Sequence, residues 1–214
     1  MLEHETDPRV RGVIALALAE TGDVSVTPRL LEMLRKERLE GSWAAADALI
    51  ALNDRSVIQE LVRWYESVQS KNDRKSVADK ERMIYILGWL RAEEAQALKQ
   101  NAWSARSPKI VGRGVDLTWL LRPSDGDTAF LRERLQHIVT SPPQHPAVLG
   151  PWADEWVQKR LVRALTGLGI TAAVPDLQRL QAHIPLRPEP DDPAKRDRLV
   201  EAVEDAVAEL EARS

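Results

Sequence analysis

The residues of this chain that carry acid–base or metal chemistry are few and scattered. Four histidines, His4, His137, His145 and His183, fall in four different segments without the spacing that gathers ligands on one helix face. There is no cysteine, which removes thiolate nucleophiles, thiolate metal ligands and disulfide frameworks together. The most suggestive carboxylates are Asp154 and Glu155, set between Trp152 and Trp156, where an acid would act beside an aromatic surface. The same pair reads more simply as a helix start, with both charges favoured by the positive end of the helix dipole. No Gly-rich phosphate loop, Gly-x-Ser-x-Gly or His-Glu-x-x-His occurs, so the common nucleotide, hydrolase and zinc-protease signatures are absent. No catalytic residue, metal ligand or cofactor is assigned on these grounds.

The elements that would position any site come from an internal repeat. Shifting the chain by 147 positions pairs Ala17 with Ala164, Leu18 with Leu165, Gly22 with Gly169, Pro28 with Pro175 and Leu30 with Leu177. Ile14 and Leu18, like Leu161 and Leu165, are four residues apart on one helix face. Gly22 and Gly169 stop that helix in the left-handed conformation. Pro28 and Pro175 then open a second helix at its first position. Each unit is therefore a short helical hairpin with one face left to bury.

A first helix with an Ala-Leu pair and a closing Gly, followed by Pro-x-Leu, resembles HEAT repeats of the short bacterial, PBS-lyase-like type. DPRVRGVIALALAETGD and VTPRLLEML carry the likeness, with the opening Asp7-Pro8 and Val10-Arg11. It extends over residues 7–34, 42–65 and 156–184. The resemblance implies an all-α fold, a right-handed α-solenoid of about five antiparallel hairpins with a C-terminal capping helix, in a bacterial protein. It implies no particular activity.

Composition agrees with a helical chain of one domain over residues 1–214. Its 214 residues are 43% hydrophobic, enough for a core. Ala and Leu dominate, and no apolar run is long enough to span a bilayer, so the expectation is a cytoplasmic protein without a membrane partner. Clear repeats are placed near residues 7–40, 41–70 and 152–184, degenerate ones over 74–140, and the capping helix at 193–213. Gly41-Ser42 reads as a break with Ser42 capping the next helix. The proline-rich segments 141–151 and 185–190 read as connections, and Asp192-Pro193 as the start of the last helix.

The net charge of −3 is unevenly spread: residues 71–140 hold 13 Lys and Arg against 9 Asp and Glu, between acidic flanks. Arg29, Arg63, Lys99 and Arg132, expected on second helices, are the candidate binding residues. Among the seven tryptophans, Trp43, Trp64, Trp89, Trp119 and Trp156 are expected in the core, and Trp103 and Trp152 as exposed contacts. Two function classes follow. One is a non-catalytic scaffold that binds a protein through a concave face, as a fragment or subunit of a larger assembly. The alternative is a HEAT-like enzyme or nucleic-acid-binding protein, related to DNA glycosylases or bilin lyases.

Overall fold

The computed structural model describes residues 5, 7–37, 40–121, 123–141, 149–184 and 193–214. Among them the chain is helical throughout, with no strand. Its helices gather into two compact units, Met1–Gln96 and Ala97–Ser214.

In the first unit, Asp7 caps α1 (Pro8–Glu20), its carboxylate accepting from Arg9 N at 2.8 Å. The helix closes on Gly22, at φ 73°. Asp23 then accepts from Ser25 N at 2.9 Å and starts a single 3-10 turn, Val24–Val26, which feeds α2 (Thr27–Lys36). The pattern recurs 31 residues on. After α3 (Glu40–Leu52), Asn53 takes the left-handed place of Gly22, at φ 52°. Asp54 accepts from Ser56 N at 2.9 Å and leads through Arg55–Val57 into α4 (Ile58–Val68). Asp73 caps α5 (Arg74–Trp89), after which Arg91 closes the helix at φ 49°. Helices α1, α3 and α5 pack side by side, while α2 lies on α3 and α4 on α5. Buried Ala15, Leu30, Leu34, Ala45, Leu49, Leu61, Tyr65, Met83 and Leu87 fill the space between. A Cβ at Gly12 would stand 2.7 Å from that of Ala44, so glycine sets the close approach of α1 to α3.

The second unit runs through α6 (Leu98–Trp103), α7 (Pro108–Leu120), α8 (Asp125–Thr140), α9 (Glu155–Gly167), α10 (Val174–His183) and α11 (Pro193–Glu211). Here α7 packs on α6 and α9, α9 on α11, and α10 on α8 and α11. Leu199, Val203, Ala206 and Leu210 form the buried stripe of the last helix, as its spacing predicts. The repeat seen in sequence is kept in the structure: α9, the 3-10 turn Thr171–Ala173 and α10 reproduce α1, Val24–Val26 and α2 residue for residue at the 147-position shift. Gly169 holds φ 66° where Gly22 holds 73°.

Several local expectations shift. Pro28 and Pro175 occupy the second position of their helices, behind Thr27 and Val174. Gly41 and Ser42 are not a break but lie buried inside α3, which starts at Glu40, and Gly41 sits against the Glu37 side chain, where any Cβ would collide. α8 starts at Asp125, behind Ser124, which forms a reciprocal capping box with Asp127. The loop reading of residues 142–148 and the readings of 185–190 and Asp192 lie outside the described residues, as do His4 and His145.

Candidate functional site

The first unit carries a surface cleft of about 410 Å³, lined by Arg35, Trp64, Val68, Lys71, Asp73, Lys75, Ser76 and Asp79. Three helices build it. The last turn of α2 supplies Arg35, whose guanidinium lies 5.2 Å from the Trp64 ring centre and pairs with Glu60 on α4. The C-terminal half of α4 supplies the half-buried Trp64 and the buried Val68. The start of α5 supplies Asp73, Lys75, Ser76 and Asp79.

The acids of the cleft are already engaged. Asp73 accepts from both the backbone N and the hydroxyl of Ser76, and these bonds hold its carboxyl below the usual carboxylate range. Asp79 is buried and paired with Arg82 one turn on. Lys71 and Lys75 are exposed and form no ion pair among the described residues. The connection that carries Lys71 is clamped by Lys80. Its ammonium is buried and donates to the carbonyls of Gln69 at 3.1 Å and Lys71 at 2.6 Å. Burial lowers the Lys80 pKa, against the opposing pull of Asp73. What the cleft presents is an indole face under a guanidinium, one apolar wall and two free ammonium groups. Such a surface suits a chain segment with carboxylates beside an apolar side chain.

The candidates chosen from sequence fare unevenly. Arg29 is half-exposed and paired with Glu32 on its own helix. Arg63 is exposed, its Nε donating to the Gln59 carbonyl at 3.2 Å. No hydrogen bond or ion pair joins the two among the described residues. Lys99, expected at a surface, is buried at 5% exposure in an ion pair with Asp127 at the start of α8. Trp103, expected as an exposed contact, is also 5% exposed and stacks on Phe130 with ring centres 4.2 Å apart. Trp152 is likewise buried, edge-on to the same Phe130. Arg132 is half-buried. The correction runs the other way for Trp89 and Trp119, expected in the core and found 51% and 46% exposed. Asp154 is a helix cap, accepting from Trp156 N at 2.9 Å, and Glu155 follows in the first turn.

Sequence reasoning missed Lys71, Lys75, Asp79 and the role of Trp64. The one available signal was Asp79-Lys80-Glu81-Arg82, four charged residues in succession, which a solvent-facing helix would expose on alternate faces. All four are buried, at 3–7% exposure. A run of that kind is kept only where partners satisfy it.

Among the described residues no helix is long and apolar enough to cross a membrane, and no group of three or more His, Asp or Glu is placed to hold a metal ion. Comparison with curated proteins and with solved structures gives no match. The family model for HEAT repeats matches residues 1–80, which take in α1 to α4 and the opening of α5, and therefore every residue that lines the cleft. The capped hairpins recurring at 31 residues are the structural counterpart of that match. Over residues 1–80 the chain is similar to the HEAT-repeat family.

Proposed function

We propose that this chain is a non-catalytic repeat scaffold that holds a protein partner in the cleft between α2, α4 and α5. HEAT repeats commonly serve as protein-interaction scaffolds. The observation that supports the reading most is the cleft itself, lined by Trp64 and by Lys71 and Lys75, which form no ion pair among the described residues. Its acids are spent on capping and on Arg82, so its remaining charge is positive. The partner segment is accordingly acidic, with one aromatic or aliphatic side chain to lie against the indole. Trp and Arg are among the residues that usually carry most interface energy, and the lysines add charge complementarity to an acidic segment. Quantitative affinity capture with the unsubstituted chain, Trp64→Ala and Lys71→Glu/Lys75→Glu tests this. Both variants should lose the same captured proteins by about tenfold or more. Equal recovery from all three baits would dismiss the cleft.

A further inference from the structure

We propose that the solvent-facing side of α7, α9 and α11 in the second unit binds single-stranded nucleic acid. The proposal is independent of the cleft and of the partner held there.

Four positions of α9, Trp156, Arg160, Arg163 and Gly167, follow one another by three or four residues and share one face. On the side toward α7, the Arg160 guanidinium lies over the Trp156 ring at 3.9 Å, and Arg113 lies at 5.7 Å from the same ring. Asp116 of α7 pairs with both arginines and fixes their planes. Trp156 in turn rests on Gly112, where any side chain would displace it. One end of the face is closed by Trp119, 46% exposed and set against Gly167. On the other side, toward α11, stand Lys159, Arg163 and Arg198, close enough to repel one another, with Glu201 beside them. Burial first, and then this repulsion, lowers the Lys159 pKa.

Arg113, Arg160, Lys159, Arg163 and Arg198 thus stand on three helices packed in a row, with Asp116 and Glu201 among them. Arg163 is exposed and makes no ion pair among the described residues. A linear polyanion of regular charge fits such a belt. The choice between nucleic acid and acidic protein rests on what else the face offers. Trp119 is the one large hydrophobic side chain of this unit that is exposed among the described residues. A stable protein interface needs an apolar centre and roughly 1,200 Å² or more of buried surface. A single strand needs only neutralised phosphates and an aromatic face on which a base stacks, because every base has one.

The test is fluorescence anisotropy of a labelled oligothymidylate titrated with the full chain at low salt. Saturable binding is expected. Lys159→Glu/Arg163→Glu should weaken it about tenfold or more and flatten the salt slope by roughly 1.4, about 0.7 for each phosphate left without its cation. Trp119→Ala should weaken it roughly 5- to 150-fold by removing the stacking surface. Circular dichroism establishes that each variant keeps its helices, and Lys159→Gln/Arg163→Gln serves in place of the reversal if that disturbs packing. Absence of saturable binding, or equal binding by the substituted chains, overturns the proposal. So does a poly-glutamate peptide that binds as tightly and with the same sensitivity to the variants, since the face would then be one for acidic protein.

Discussion

The Thr27 hydroxyl, at the start of α2, donates to Asp54 Oδ2 at 2.7 Å, while the other oxygen of Asp54 accepts from Ser56 N at 2.9 Å. One carboxylate therefore caps its own repeat and ties it to the one before. Thr27→Val keeps the shape and removes the tie. It should cost about 1 kcal/mol, the usual net worth of such a bond. A urea midpoint unchanged from the parent would show that the link is idle.

Acid should weaken the fold through the same group. Burial opposes the Asp54 charge, but the bonds from Thr27 and Ser56 outweigh it and hold the carboxyl below its ordinary range. Asp73 is lowered by its Ser76 bonds, and Asp127, against burial, by Lys99 and Ser124. A depressed folded pKa gives stability that is present above the unfolded value of about 3.9 and is lost as pH falls through the folded one. Stability should thus fall between about pH 6 and pH 3, and Asp54→Asn should make that fall smaller. Parallel denaturation curves at the two pH values measure it.

Removing Asp127 should be more damaging. Its partner Lys99 is buried, and Asp127→Ala leaves that ammonium uncompensated while dissolving the capping box of α8. The expected cost is about 3 to 5 kcal/mol. A decrease below about 1 kcal/mol would mean that water reaches Lys99.

Backbone conformation gives a pair of opposite effects. Gly22→Ala places a Cβ in open space but at φ 73°, and should cost about 1 kcal/mol. Arg91, exposed at φ 49°, already bears that strain. Arg91→Gly relieves that strain by more than the added freedom of the unfolded chain costs, and should raise stability by up to about 1 kcal/mol. Thermal midpoints moving in the same direction for both variants would contradict this assignment.

Leu165→Ala empties a fully buried position of the second unit's core. A cost of about 2 to 5 kcal/mol is expected. The matching Leu18→Ala should cost less, because Leu18 is only half-buried in a helix whose other flank leaves Val10 and Val13 exposed. Equal destabilisation would show that the two copies are equally covered.

Sequence by itself determined what is decided within a few residues of the chain. Asp7, Gly22, Pro28 and their counterparts Asp154, Gly169 and Pro175 act on N–H groups and φ angles no more than one turn away, so their spacing alone located the hairpins and their repeat. The buried stripe of α11 was legible for the same reason. Burial of a single large side chain was not. Trp103 and Trp152 are covered because Phe130, distant from both in sequence, comes to lie between them. Trp89 and Trp119 have the helical spacing of core residues, yet both stand half open to solvent. Lys99 became interior once Asp127 met it, and Asp79 to Arg82 once the chain before α5 folded back onto Lys80. A helical stripe specifies which residues share a face. Which face is covered, and by what, depends on the meeting of distant segments, and only the packed tertiary structure decides it.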